Sequence, residues 1–387
     1  MQSGIGFDIL ATRIVQTYRL TFTSLALASS FNCDYDANKL DSCTSVLSIV
    51  NEVYLVLTRI KQVKIPAADA LGIDDVMAIY QALQPTMSAG TIGAAKPALR
   101  LIDLLDEFDG LVIDGYGIIN VGDVLIDGIA ALLDIAATRN IPVIVLTNGA
   151  SFPSERAWKK YQDWHLPIAR ADVISSRDAL AAQEIKSQTR RLDGTKIGCF
   201  GRNIESLVGD HVLSYGHDDD FWQRADEFVF LGALDWEEND QVALETAMLA
   251  HPRPLHIANP DVTAPQAGYR FSAEPGYWAA RLIQASVNQG VKIDVRWYGK
   301  PYSPAFDLAL SRMQTRLGCH SKQQLDSYLD AGRIAMVGDS LHTDILGGAA
   351  VGMTTVLITE HGLFKGVDAS RFCQAHGLFP DWIVKTP

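Results

Sequence analysis

The stretch Leu111-Val112-Ile113-Asp114-Gly115-Tyr116-Gly117 reads as a short apolar strand running into a carboxylate and then a tight glycine turn. An uninterrupted apolar run of this length is what a strand buried on both faces of a parallel sheet requires. Outward from it the pattern recurs. Val143-Ile144-Val145-Leu146 runs into Thr147, Ile334-Ala335-Met336-Val337 into Gly338, and Thr355-Val356-Leu357-Ile358 follows. From Leu101 onward such strands alternate with helical segments, which predicts an α/β fold: a three-layer sandwich with a parallel sheet between helices. Ligands of these sheets sit beyond the carboxyl ends of the strands. The turns after Ile113, Leu146 and Val337 therefore mark one site assembled from distant sequence.

Between roughly Val173 and Val291 lies a second alternating unit, with strands expected at Ile197–Phe200, Glu227–Leu231 and Leu255–Ala258. The core sheet flanks it on both sides in the chain, so it reads as an inserted cap able to close over the site and exclude water. Residues 1–100 read as a helical extension without chemistry of its own, with an apolar periodicity through Val46, Leu47, Val50, Val53, Tyr54 and Leu57. The expected division is extension 1–100, core 101–172, cap 173–291 and core 292–387.

A chain of 387 residues exceeds what one hydrophobic core supports, so several units are expected. With 48% hydrophobic and 20% charged residues the composition is that of a folded protein, not of collagen, a coiled coil or a disordered chain. The net charge of -12 argues against a phosphate-tracking surface, so nucleic acid is not an expected partner. Five cysteines, Cys33, Cys43, Cys199, Cys319 and Cys373, are odd in number and form no C-x-x-C pair, which fits free thiols in a reducing compartment. The apolar stretch Leu20 to Ser30 follows two arginines as a leader would, but Thr21, Thr23 and Ser24 break it. No segment approaches the roughly 20 apolar residues that span a bilayer. A cytoplasmic location without membrane contact is the expectation.

The residues at the strand ends carry complementary chemistry. A carboxylate such as Asp114, exposed at a glycine turn, can act as a nucleophile. Its attack on a phosphate is opposed by like charge, so a cation is needed, and Mg²⁺ with oxygen ligands suits the task. Asp339 and Asp344 supply further carboxylates in Gly338-Asp339-Ser340-Leu341-His342-Thr343-Asp344. Thr147 and Asn148 offer donors to phosphate oxygens, and Lys300 in Gly299-Lys300-Pro301 offers a point charge. Taken singly each fragment is a common turn; their order and shared strand-end placement set them apart.

On these motifs the sequence resembles the haloacid dehalogenase superfamily, in the subclass with an α/β cap inserted between the second and third motifs, over residues 101–387. The resemblance implies that Asp114 is the nucleophile, that Thr147 and Lys300 belong to the second and third motifs, and that Gly338, Asp339, Thr343 and Asp344 form the fourth. Asn259-Pro260-Asp261 resembles a signature of that subclass's cap, which makes Asn259 and Asp261 candidates for selecting the organic part of the substrate. It further implies Mg²⁺ held by Asp114, the Tyr116 carbonyl, Asp339 and Asp344, a small phosphorylated metabolite as substrate, and a cap-mediated homodimer.

One position departs from the family. The first motif is D-x-D-G, and its second Asp exchanges protons with the leaving alcohol and with water; here Tyr116 stands in its place. A phenol with a pKa near ~10 is a poor base at neutral pH, and loss of a positioned acid or base costs about 10²–10⁴ in rate. A D-x-Tyr/Trp-G motif resembles one branch of the subclass. Either Asp261 in the cap takes over the proton, or the leaving group needs none, or the chain is a phospho-ligand binding module that does not turn over. Two other readings fall on position. Gly338-Asp339-Ser340-Leu341 spells an esterase nucleophile block, but it lies late in the chain with no D-x-x-H after it. Gly115-Tyr116-Gly117 lacks the third glycine of a dinucleotide site, Asn120 standing there. Trp158, Trp164, Trp236 and Trp278 read as packing residues and His342 as a solvated helix residue.

Overall fold

The wholly buried run Gly110–Ile113 (β2) lies between Ile334–Gly338 (β14) and Val143–Thr147 (β5), parallel to both. The computed structural model describes residues 58–84, 93–186, 194–204, 212–266 and 270–387. Among these, seven strands form one parallel sheet in the order Lys96–Arg100 (β1), Trp382–Thr386 (β16), Thr354–Ile358 (β15), β14, β2, β5 and Val173–Ser175 (β6). Alternate residues of each strand face opposite layers. Leu111, Ile113, Val145 and Val337 pack with Leu132 and Leu133 of helix Ile129–Thr138 and with Leu101 and Leu105. Val112, Ile144 and Met336 pack on the other side with Ala305, Phe306 and Met313 of helix Ser303–Arg316. This is the three-layer α/β sandwich that the apolar runs demand.

A second parallel sheet, also of the described residues, has the order Val295–Trp297 (β13), Leu255–Ile257 (β10), Glu227–Phe230 (β9), Ile197–Phe200 (β7) and Val212–Ser214 (β8). It is the inserted cap. Two hairpins accompany the sheets: Asn120–Val121 (β3) with Val124–Leu125 (β4) beside the Asp114 turn, and Thr263–Gln266 (β11) with Arg270–Ala273 (β12) in the cap.

The expected boundaries shift in three places. β1, assigned to the 1–100 extension, belongs to the core sheet; β6, placed in the 173–291 cap, also belongs to the core; and β13, placed in the 292–387 core, belongs to the cap. Each strand lacks the signal on which the division rests. β1 reads Lys-Pro-Ala-Leu-Arg, an exposed edge that tolerates proline, while β6 and β13 have only three residues each.

The expected helix through Val46 to Leu57 lies outside the described residues, as do Cys33 and Cys43; Cys199, Cys319 and Cys373 form no disulfide among the described residues. What is described of the extension is not peripheral. Helix Ile73–Leu83 buries six of its eleven residues. They share one apolar cluster with Leu244, Met248 and Leu282 of the cap and with Leu341, Ile345 and Phe364 of the core. Its start is fixed by the Asp75 carboxylate, which accepts the Gly72 N–H at 3.1 Å. His342, expected on a solvated face, is 0% exposed. It stacks on the Tyr80 ring of that helix, centroids 5.2 Å apart and planes 5° from parallel. Its position in a single π-helical turn, Leu341–Ile345, turns it inward. No described helix is long and apolar enough to cross a membrane.

Candidate active site

The sheet register brings the motifs to one end. Ile113 pairs with Val337 on one side and Val145 on the other, so Asp114, Asp339 and Thr147 all emerge at the carboxyl edge. Asp114, Asp339 and Asp344 each offer a carboxylate oxygen within 4.8 Å of the others, and all three are buried. The Lys300 ammonium, 1% exposed, lies 2.9 Å from Asp114 Oδ1 and donates to Asp344 Oδ1 at 2.6 Å. Asp344 Oδ2 accepts the Ser340 N–H at 3.1 Å, so both of its oxygens are engaged, one by the lysine and one by the fourth-motif turn. Asp339 Oδ2 accepts the Leu363 N–H at 2.8 Å. The backbone crowds this carboxylate. Gly117 (φ 84°) and Gly362 (φ 66°) lie so close that a Cβ on either would sit 2.3 and 1.7 Å from Asp339 Oδ2.

Three buried carboxylates around one ammonium leave negative charge in excess. Burial, opposed by Lys300 and reinforced by Asp344, pushes Asp114 up to about 7. Burial and the neighbouring Asp344 and Asp114 hold Asp339 well above the carboxylate range. Burial disfavours the Lys300 charge, but Asp114, Asp344 and Asp261 outweigh it and raise its pKa. A cluster that resists full ionisation and presents several oxygens is matched to a hard divalent cation. The residues present therefore fit Mg²⁺, with Asp114 and Asp339 as the carboxylates to hold it.

Around this floor the other expected residues divide. Asn148 does not offer its side chain to a ligand: Nδ2 donates to Asp261 Oδ1 (2.8 Å) and the Lys300 carbonyl (3.0 Å), and Oδ1 accepts the Lys300 N–H (2.7 Å). It brackets Lys300 and Asp261. Thr147 keeps its hydroxyl near the loop that follows, accepting the Gly149 N–H at 3.3 Å. Asn259 is turned into the cap, its Oδ1 accepting the Asp261 N–H and its Nδ2 donating to Glu274. Asp261 is brought to the site, and burial, against the pull of Lys300 and Asn148, pushes it up to about 7. Tyr116 points its phenol away to donate to the Pro265 carbonyl of the cap hairpin, and burial raises its pKa. The family's acid position here latches core to cap.

Sequence reasoning passes over two residues that shape the site. The buried Arg177 guanidinium donates to the carbonyls of Ala150 (3.1 Å), Arg202 (3.3 Å) and Asn203, tying the loop after Thr147 to the cap loop after β7. Tyr80, in the extension, accepts the Val262 N–H at 3.0 Å, one residue past Asp261. Neither carries a motif; a charged residue at a helix start and a tyrosine in a helical periodicity have no sequence mark of such roles.

Residues 111–207 match the family model described as haloacid dehalogenase-like hydrolase, and residues 297–383 match a second, described as HAD-hydrolase-like. The two matches carry Asp114 with Thr147 and Lys300 with Asp339 and Asp344. The chain belongs to the haloacid dehalogenase superfamily. As a superfamily hydrolase it is 24% identical over 254 residues to the acid sugar phosphatase of Staphylococcus haemolyticus, a match covering 65% of this chain and 85% of that protein. Among solved structures it resembles a protein of Cytophaga hutchinsonii described as a possible sugar phosphatase (TM-score 0.60, 22% identity, 75% of this chain and 98% of the other). It also resembles the 4-nitrophenylphosphatase of Thermotoga maritima (TM-score 0.53, 18% identity, 73% and 96%). At these identities the structural likeness speaks for the fold, including the cap inserted between the second and third motifs.

Proposed function

We propose that the chain is a Mg²⁺-dependent phosphatase acting on small phosphomonoesters, sugar phosphates foremost, through an aspartyl-phosphate on Asp114. The observation that carries this reading is the convergence of Asp114, Lys300, Asp339 and Asp344, from three separate segments, on one buried point at the sheet's carboxyl edge. The sugar-phosphatase relatives motivate the substrate class.

Asp114 attacks phosphorus in line, and the bond to the leaving oxygen breaks. Lys300 favours the ionised form of Asp114 against its burial and offsets phosphate charge. Asp261, protonated in a site that raises its pKa to about 7, gives its proton to the leaving alkoxide, the task that Tyr116 does not perform. The resulting carboxylate takes a proton from water, which attacks the aspartyl-phosphate and releases phosphate. Bound Mg²⁺ would supply Lewis-acid neutralisation of the phosphate oxygens. Thr147 stands at the same sheet edge as a donor to those oxygens. The test is phosphate release from p-nitrophenyl phosphate and glucose 6-phosphate with Mg²⁺, comparing wild type with Asp114→Asn. Release that vanishes in the variant supports the scheme; release that persists sinks it. Mg²⁺ binding without release would instead favour the phospho-ligand binding module.

A further inference from the structure

Asp261 owes its place to contacts outside the four motifs, and one of them comes from the extension. The loop Asn259-Pro260-Asp261-Val262 is pinned at successive points. The Asp261 N–H is taken by Asn259 Oδ1 at 3.0 Å, and the Asp261 carbonyl accepts the Gly276 N–H at 2.9 Å. Its side chain accepts from Asn148. The next amide, that of the fully buried Val262, has the Tyr80 hydroxyl as its acceptor.

Tyr80 is itself held from both sides. Its ring, 2% exposed, stacks on His342, two residues before Asp344 on the core. Other described residues of the extension grip the cap helix Pro275–Gln289. Tyr277 donates to the Pro66 carbonyl at 2.7 Å, and Gln284 donates to the carbonyls of Ile60 (2.7 Å) and Val63 (2.8 Å). Asp74 pairs with Arg371 of the core at 2.9 Å. The helix Ile73–Leu83 thus touches cap and core at once, and Tyr80 is its bond to the loop that carries Asp261. Asp261, Asp344 and Asp339 are close enough for their charges to be felt at its phenol.

We propose that Tyr80 is a positioning residue for the reaction: by accepting the Val262 N–H while stacked on His342, it fixes the cap loop that aims Asp261 at the leaving group. The extension is then part of the active-site architecture. This inference rests on the reading of Asp261 as the proton donor. Its physical basis is that a buried N–H deprived of its acceptor drives its loop to rearrange toward another partner, and a proton donor displaced by even a small distance loses effectiveness.

The experiment uses the full chain with Tyr80→Phe, which keeps the ring and removes the acceptor, alone and combined with Asp261→Asn. Expected is a fall in glucose 6-phosphate turnover of about tenfold, a fraction of the 10²–10⁴ that a whole acid supplies. With p-nitrophenyl phosphate, whose leaving group needs little acid, the fall should stay under about threefold. In the Asp261→Asn background Tyr80→Phe should have no further effect on glucose 6-phosphate turnover, because the two act as one unit. Amide hydrogen exchange at Val262 should accelerate while that of β9 and β10 stays as in wild type. An equal fall for both substrates, a loss that persists in Asp261→Asn, or unchanged exchange at Val262 overturns the proposal. The exchange readout needs no turnover, so a wild type that hydrolyses neither ester would end the phosphatase reading and leave the Tyr80 clamp to be decided at Val262.

Discussion

The core and cap sheets are built alike and equipped differently. Both are parallel among the described strands, both bury apolar strands between helices, and both place loops at their carboxyl edges. At the core edge, β2 and β14 run into Asp114 and Asp339, charges that burial leaves short of compensation. At the cap edge, β7 and β9 run into Gly201-Arg202 and Leu231-Gly232, where Arg202 is satisfied by an exposed pair with Asp235 at 2.5 Å. The core edge carries the carboxylate cluster; the cap edge lends it Asp261 and Lys300 past β10 and β13 and elsewhere ends in exposed pairs such as Arg202–Asp235. Chemistry belongs to the residues placed at the strand ends and to their burial.

The comparison is most open to attack at Lys300. Lys300→Met would strand the Asp114 and Asp344 carboxylates in a site they reach now only with a partner. Breaking a buried pair costs about 3–5 kcal/mol, so urea unfolding without Mg²⁺ should show a loss of that order, with turnover reduced at least about 10³-fold as in other catalytic-unit deletions. A loss confined to turnover would mean that the carboxylates neutralise by taking up protons.

Asp261→Asn comes next, with glucose 6-phosphate turnover lower by about 10²–10⁴ and p-nitrophenyl phosphate far less affected. The sign of the pH dependence follows from the raised pKa. Asp261 holds its proton below about 7 and Asp114 must lose its own near the same value, so wild-type turnover of the alkyl ester should decline on the alkaline side of about 7. The decline should disappear in Asp261→Asn; a pH profile unchanged by the substitution would assign the proton elsewhere.

Gly362→Ala places a methyl 1.7 Å from Asp339 Oδ2 on a backbone with φ 66°. Displacing a metal-holding carboxylate costs about 10–100-fold in affinity, measurable as Mg²⁺ binding by calorimetry; unaltered affinity would take Asp339 out of the ion's shell.

Without metal the site should also make stability fall with pH. Folded Asp114 and Asp261 titrate near about 7 against an ordinary carboxylate value of 3.8. Between those values the folded state holds more protons than the unfolded one, and the stability they contribute is lost as pH rises through the folded value. Saturating Mg²⁺ should flatten that slope, and a slope indifferent to Mg²⁺ would place the effect outside the metal site. At the cap edge, Asp235→Ala breaks only an exposed pair. Neither melting temperature nor turnover should change, and an effect on turnover would show that the ends of β7 and β9 also belong to the site.

The core was legible because its strands are buried on both faces and so appear as apolar runs, each ending in a residue with chemistry: Asp114, Thr147, Gly338 before Asp339. β1, β6 and β13 were not, since an edge strand with proline and three-residue strands carry no periodicity. The charged residues of the site could be named from their motifs, but their partners could not. That Asn148 brackets Lys300 and Asp261 is set by hydrogen bonds across more than a hundred residues of chain. Tyr80 shows the same limit. A helix in the extension reads as packing, and only the fold brings its hydroxyl to Val262.

The central claim is that the carboxylate at the end of β2 becomes covalently phosphorylated. Acid quench during steady-state turnover of p-nitrophenyl phosphate with Mg²⁺, followed by mass analysis of the peptides, tests it directly. The account predicts a phosphoryl group on Asp114 in wild type and none in Asp114→Asn. Turnover in wild type with Asp114 unmodified, or with the phosphoryl group on another side chain, would contradict it.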